Sequence, residues 1–509
     1  MRILIRADAG DRIGYGHMMR CLALATELSR RGHTVDFAAV ESAAQLIPRL
    51  EEGAFELHVV SAERGSREDA RRTIDLAQDL GCRWVILDGY CFDSRYQQAV
   101  AEAGLQCLVI DDDGRHKRYD TDLLLNTTVE DGADLYRESS YGRLMVGAHF
   151  ALLRPDIRAA QERAHPPNVE HPGILITLGG AAHCDVLQLL VEGVKLARVD
   201  WRELVVIAGS CDTATIRECV GTTAFPVRVE AHVDHLEEEM LRADIALSGA
   251  GGTCRELAAL GVPMLLVQLA ENQRHLARSM TARGAAELFG RPDALTTDHV
   301  AERLTILAGD QELMLRRSKA GMEMVDGNGV ERVADALEQA TVELRPAMEE
   351  DAKLLWRWAN DPEVRQQAYQ GESISWRSHL RWFDAKLRDP NCTILLAWSP
   401  QDRPMGQVRF DIRPDGWAEV DVSVDSNIRS AGLGTILLRC ASRLILRDER
   451  VNGVEAWVKS GNGKSRRAFE KAGFRADGEH TVHGIPSIRY LYDGRTEPAT
   501  LSPVEGTIL

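Results

Sequence analysis

Arg6-Ala-Asp8-Ala-Gly-Asp-Arg-Ile-Gly14-Tyr-Gly16-His17-Met-Met-Arg20 is the stretch that decides the fold. Ahead of it stands Met-Arg-Ile-Leu-Ile, an apolar run of the right length for a buried strand. Behind it, apolar residues recur at helical spacing over 18–30. Strand, glycine-rich turn and helix in that order open a parallel α/β sheet, whose ligands bind at the C-terminal strand edge. Gly14 and Gly16 let a ligand approach the backbone there. The spacing is not G-x-G-x-x-G, which disfavours a nicotinamide site. His17, at a helix N-terminus, has its cationic form disfavoured by the helix dipole and is left able to accept a proton. A helix-capping histidine fits the same position.

Outward from this unit, strand patterns at 34–38, 84–87, 108–110, 174–177, 204–207, 245–247 and 264–267 alternate with helical patterns such as 67–80 and 94–103. Such alternation predicts parallel sheets covered by helices on both faces. Residues 164–172 hold three prolines and no period, and read as a linker between two Rossmann-like halves, 1–163 and 173–340. A third region, 342–493, carries seven of the nine tryptophans, and 494–509 reads as a loose tail. Each region has its own strands and glycine loops, which predicts separable parts on either side of residue 341.

A chain of 509 residues predicts about three domains. Lys plus Arg number 61 against 77 acidic residues, a net charge of −16, so the chain lacks the basic field that nucleic acid or an anionic membrane requires. Any anionic ligand must be held by backbone amides and a few placed cations. The ten cysteines form no C-x-x-C pair and read as buried free thiols. There is no signal-peptide pattern and no apolar run long enough to span a bilayer, which predicts a cytoplasmic protein.

Asp88-Gly-Tyr90 and Asp111-Asp-Asp113 follow strands in the first half. The three carboxylates read as a solvated turn, His232 and His235 have only the ligand type, and no metal is expected. In the second half, Thr177-Leu-Gly179-Gly180 closes one strand, and Ser248-Gly-Ala-Gly251-Gly252-Thr253-Cys-Arg-Glu256 closes another and opens a helix. Two glycine turns with helix N-termini behind them suit a pyrophosphate, with Glu256 placed to accept both hydroxyls of a ribose. Asn272-Gln273 lies downstream. Tight turns without a ligand would give the same glycines.

The stretch Ser248–Glu256 with Asn272-Gln273 resembles the UDP-binding half of GT-B sugar-nucleotide enzymes. Arg6-x-Asp8, Ile13-Gly14-x-Gly16-His17-x-x-Arg20, Asp88-x-Tyr90, Ile110-Asp-Asp112, Leu125-Asn126 and Ala151-Leu-Leu-Arg154-Pro155 resemble the family of UDP-2,4-diacetamido-2,4,6-trideoxy-β-L-altropyranose hydrolases of pseudaminic acid biosynthesis. The resemblance covers roughly 1–340. It implies a UDP-amino-sugar substrate and a metal-free C–O cleavage with His17 as base on water. It also places Tyr90 and Asn272 on the sugar and Glu256 on the uridine. Two positions depart from the pattern: the usual Gly-Gly-Ser-Asp reads Gly179-Gly-Ala-Ala, and His149 stands for a tyrosine.

In the third region a strand pattern at 418–424 leads into Arg429-Ser430-Ala431-Gly432-Leu433-Gly434 and a helix. Successive amides at a helix N-terminus suit the pyrophosphate of coenzyme A. A second strand, then Asn462-x-x-Ser465 and Phe469, complete an order that resembles GNAT acetyltransferases and implies acetyl-CoA as cosubstrate. Phe469 replaces the tyrosine that commonly protonates the leaving thiolate. Glu419 and Asp421 are candidate bases.

The fold expected is α/β, two Rossmann-like GT-B halves followed by an α+β GNAT domain. The function expected is acetylation of a UDP-4-amino-sugar by acetyl-CoA and hydrolysis of UDP from the product. A glycosyltransferase with an acceptor hydroxyl in place of water, or a hydrolase with a non-catalytic acetyl-CoA-binding domain, would use the same loops.

Overall fold

The computed structural model describes residues 1–10, 16–40, 55–130, 135–179, 183–399, 403–429 and 432–493. Gly14, Gly180, Ser430, Ala431 and the tail 494–509 lie outside them.

The first sheet holds β1 (Arg2–Ala7), β2 (Thr34–Ala39), β3 (Glu56–Val59), β4 (Trp84–Asp88), β5 (Gln106–Asp111), β6 (Asp120–Asn126) and β7 (Ser140–Val146). They lie in the order β3-β2-β1-β4-β5-β6-β7, all parallel. β4 is buried throughout, as expected of a central parallel strand sandwiched by helices. β4 and β5 each run past the sequence expectation to end on a carboxylate, Asp88 and Asp111. The second sheet holds β8 (Gly173–Thr177), β9 (Glu203–Ile207), β10 (Val227–Glu230), β11 (Ile245–Gly249), β12 (Met264–Val267) and β13 (Ala286–Gly290), in the order β10-β9-β8-β11-β12-β13.

In each sheet the strand order reverses at one place, between β1 and β4 and between β8 and β11. Ligands of open α/β sheets bind at such switch points, beyond the C-terminal strand ends. His17 follows β1 and Asp88 ends β4; Gly179 follows β8 and Gly251 follows β11. All four sequence-selected loops therefore flank switch points.

The third sheet is mixed: β14 (Glu343–Pro346), β15 (Cys392–Trp398), β16 (Pro404–Ile412), β17 (Trp417–Val424), β18 (Gly453–Lys459), β19 (Arg475–Val482) and β20 (Ile485–Tyr492), in the order β14-β15-β16-β17-β18-β20-β19. Its one parallel pair, β17 with β18, is only three residues long, ending at Glu419 and Glu455.

Three expectations are corrected. The helix Gly329–Ala340, assigned by sequence to the second half, packs on the first: Arg31 pairs with Asp335 at 2.6 Å, and His33 Nε2 lies 2.8 Å from Glu338. The first and third regions do not have separate cores, since Ile3, Leu337, Val342, Leu395 and Leu437 belong to one continuous apolar cluster. Cys184 and Cys211 are not free thiols but a disulfide, with Cα atoms 5.6 Å apart. They follow the adjacent parallel strands β8 and β9, whose C-terminal loops the fold brings together across 27 residues of sequence. Among the described residues no helix is long and apolar enough to cross a membrane.

Candidate active sites

The helix Gly16–Arg30 follows β1 and carries His17 and Arg20 one turn apart on the face toward β4. His17 Nδ1 lies 2.7 Å from Asp88 Oδ1. Arg20 binds the same carboxylate through Nε and Nη2 at 2.7 and 2.6 Å, and reaches Asp112 through Nη1 at 2.7 Å. One guanidinium thus locks the ends of β4 and β5 together. Burial works against the Asp88 carboxylate, yet Arg20 and then His17 hold it well below its ordinary range. An ionised Asp88 accepts from Nδ1–H, fixing the tautomer in which Nε2 carries the lone pair. Asp88 was legible only as a loop residue; its place at the end of a switch-point strand is what brings it to His17.

Tyr90 crosses this cluster. Its ring meets His17 edge-on at 5.0 Å, and its hydroxyl donates to Asp112 at 3.2 Å and accepts from Asn272 Nδ2 at 2.9 Å. Burial, then the charge of Asp112, push the phenol well above its usual range, so it stays a donor. Asn272 belongs to the second half, so this bond spans the cleft. The resemblance placed Tyr90 and Asn272 on one sugar; the fold brings them together. Gly16 is exposed at the helix start.

Asp8 goes elsewhere. It pairs with buried Arg6 at 2.7 Å and accepts from the Val40 amide at 2.8 Å, bracing β1 against β2 apart from His17. The aspartate run is not a solvated turn, because two of its members are buried: Asp111 accepts from Tyr136 at 2.5 Å, and Asp112 takes Arg20. Among the described residues the one cluster with metal-ligand spacing is Asp36, Glu56 and His58, already occupied by Arg2 at Asp36.

Across the cleft, the helix Gly252–Ala259 starts at Gly251 with no side chain capping its amides. A Cβ on Gly251 would meet Gln273 Nε2 at 3.7 Å, so that amide group stands over the helix start. The Gln273 carbonyl accepts from the Leu269 amide at 2.8 Å, which turns the NH₂ toward it. Gly179, at φ +89°, has open space where a side chain would project. Gly249 sits against Leu178 and Leu269, and Ser248 is buried with its hydroxyl on the Gly249 carbonyl at 3.1 Å. Thr253 is half-buried in the first helical turn. Glu256 is bonded by Arg154 Nε at 2.9 Å, pairing two residues that were expected to touch substrate separately.

In the third region, Gly432 (φ +81°) caps the helix Leu433–Ile445 in the left-handed conformation glycine tolerates. Leu433 is buried and Gly434 half-buried behind it. Arg429 is not free for a phosphate: it bonds the Val424 carbonyl at 3.0 Å and Asp361 at 2.8 Å. Asn462 caps the next helix by accepting from the Ser465 amide at 3.1 Å. Beyond Glu419 and Glu455, β17 and β18 no longer pair with each other, while β17 continues beside β16 to Val424 and β18 beside β20 to Lys459. Glu419 stands at the last residue of the β17–β18 pairing, on the exposed side of β17. Burial, then Glu455 and Asp411, raise the Glu419 pKa above its ordinary value. Asp421 faces Arg409 at 3.7 Å. Phe469 is core, stacked on Tyr490 at 5.7 Å.

Comparison with known proteins agrees with this architecture. Residues 174–335 match the family described as glycosyltransferase family 28 C-terminal domain, and residues 341–475 match the acetyltransferase (GNAT) domain. The chain joins a GT-B unit to a GNAT acetyltransferase domain. The spore coat polysaccharide biosynthesis protein SpsG of Bacillus subtilis is 22% identical, over 66% of this chain and 98% of that one. An uncharacterised protein of Methanocaldococcus jannaschii is 20% identical over 80% of this chain and 83% of its own length. The crystal structure of MurG from Acinetobacter baumannii superposes with a TM-score of 0.50 at 16% identity, covering 66% of this chain and 98% of that chain, a likeness of fold.

Proposed function

We propose that the chain is a bifunctional enzyme of amino-sugar nucleotide metabolism. Its GT-B unit hydrolyses UDP from a UDP-diacetamido-trideoxy sugar of the pseudaminic type, and its GNAT domain acetylates the 4-amino precursor with acetyl-CoA. The observation that carries the first activity is the 2.7 Å bond between His17 and Asp88 at a switch point facing the glycine turns. Water gives a proton to His17 Nε2 as its oxygen attacks the anomeric carbon. The C–O bond breaks, and its electron pair leaves with the β-phosphate of UDP. Asp88 stabilises the imidazolium that forms.

For the second activity, the edges of β17 and β18 beyond their pairing suit the amide-rich arm of coenzyme A, with the pyrophosphate on the amides of the Gly432 turn. The sugar amine attacks the thioester carbonyl, Glu419 takes its proton, and the thiolate leaves. Phe469 has no proton to give, so solvent or another group protonates the thiolate. The relative named for spore coat polysaccharide biosynthesis supports sugar chemistry for the chain.

A second reading, glycosyl transfer, is favoured by the match to a glycosyltransferase family: the same dyad would deprotonate an acceptor hydroxyl. Supplying a UDP-4-amino-sugar with labelled acetyl-CoA, without acceptor, and following products by NMR decides. Acetylation with stoichiometric UDP release supports the proposal. UDP release only on adding an acceptor supports the transferase, and acetyl-CoA binding without thiol release makes the GNAT domain a sensor.

A further inference from the structure

Among the described residues, Arg20 after β1, Arg115 after β5, Arg154 after β7 and Arg255 after β11 stand beyond the C-terminal ends of their strands, and three of the four face carboxylates. Arg20 is bound to Asp88 and Asp112, Arg154 to Glu256, and Arg115 to Asp113. Arg255 differs. In the first turn of the helix Gly252–Ala259, it donates from Nη1 to the neutral hydroxyl of Thr127, across the cleft, at 2.7 Å. Among the described residues no carboxylate lies within ion-pair distance of it. Its other terminal nitrogen folds back over the helix start, 3.8 Å from where a Cβ on Gly252 would sit, beside the uncapped amides and the Gln273 NH₂. Amides, an amide NH₂ and a guanidinium thus stand at one helix start, and all are donors, a set that suits an anion. Arg255 also lies close enough to Asp112 and Arg20 to feel both charges.

We infer that Arg255 is the diphosphate cation of the GT-B unit, holding the β-phosphate and taking up the charge that arrives there when the anomeric C–O bond breaks. This rests on the UDP-sugar reading above. The guanidinium joins the half that carries the glycine turns to the half that carries the base, and the bond to be broken must span that gap. A fork that releases a neutral hydroxyl loses far less than one that must leave a carboxylate, so Arg255 is the arginine of the four available to a phosphate. Burial lowers the Arg255 pKa, Asp112 opposes that shift and Arg20 adds to it, so an anion bound beside it would favour the charged form.

The test compares Arg255→Met and Arg255→Lys with the unaltered full chain, using UDP and uridine as probes in calorimetry and a thermal melt. Removing a charged hydrogen bond should weaken UDP by about 10- to 100-fold in the Met variant. Uridine affinity should not move and the melting temperature should change little, because half-buried Arg255 is bonded to the neutral hydroxyl of Thr127 and not to a carboxylate. The Lys variant, a point charge without the fork, should fall between. UDP affinity at the unaltered level, equal losses for UDP and uridine, or a lowered melting temperature would each overturn the assignment. If the unaltered chain binds neither probe, the UDP-sugar reading itself fails and the assignment falls with it.

Discussion

Arg439, in the acetyltransferase domain, donates to Asp120 of β6 at 2.6 Å, with Asp122 3.5 Å away and the guanidinium buried. Burial opposes the Arg439 charge, and the two carboxylates more than restore it. The GNAT domain is therefore fastened to the GT-B unit by an ion cluster set in a shared apolar core. Arg439→Leu would leave buried Asp122 without its cation and Asp120 with Arg443 at 3.6 Å, a loss of roughly 3–5 kcal/mol. Calorimetry should find one transition shifted down for both domains; an unchanged GT-B transition would contradict the shared core. For the same reason a chain cut at 340 should be poorly soluble, against the expectation from sequence that the parts separate cleanly.

At Gly432, a Cβ would lie 2.6 Å from the Gly142 carbonyl in β7, at φ +81°. Sequence alone suggests that alanine is mild there and aspartate harmful through charge. With the neighbouring strand so close, even Gly432→Ala should lower stability by about 1–3 kcal/mol and weaken acetyl-CoA binding. Equal melting temperatures for the Ala variant and the parent would refute the contact.

His17→Ala should slow UDP release by about 10²–10⁴ while leaving UDP affinity near normal, since the nucleotide half is untouched. Asp88→Asn should lose activity too, because an amide no longer holds Nδ1–H, and it also unbalances Arg20. Single-turnover rates alongside UDP titrations distinguish these from misfolding. Normal turnover in the His17 variant would remove it from the mechanism.

Glu419 has a raised pKa and must be deprotonated to accept the amine proton. Acetyl transfer should therefore fall as pH drops through a value above the ordinary carboxylate range. Glu419→Gln should abolish that limb of the pH profile along with most of the rate. A profile unchanged by the substitution would assign the base elsewhere.

Much of this was legible in the chain. Strand-turn-helix order and two glycine turns placed His17, Tyr90, Gly251 and Glu256 on switch points, because local pattern sets strand direction and strand direction sets the ligand edge. Three features depended on pairing distant elements, which periodicity does not encode: Asp88 beneath His17, the Cys184–Cys211 bridge, and Asp8 turned away toward Arg6. Arg255 was hidden differently. On a helical wheel it is one more exposed arginine, and only the opposing Thr127 and the fold-back over Gly252 single it out.

Glu256 offers the sharpest test of the nucleotide half. It is held by Arg154 at 2.9 Å, so a ribose that takes its carboxylate must compete with or share that bond. Glu256→Ala should weaken UDP binding by about 1.5–3 kcal/mol, the scale of hydrogen bonds to a charged group. The same change orphans Arg154, so part of any loss in melting temperature belongs to the cation and not to the ribose. Arg154→Met with Glu256→Ala separates the two contributions: the double variant should recover stability while UDP affinity stays low. If UDP affinity recovers with stability, Glu256 acts only by holding Arg154, and the ribose is bound by other groups.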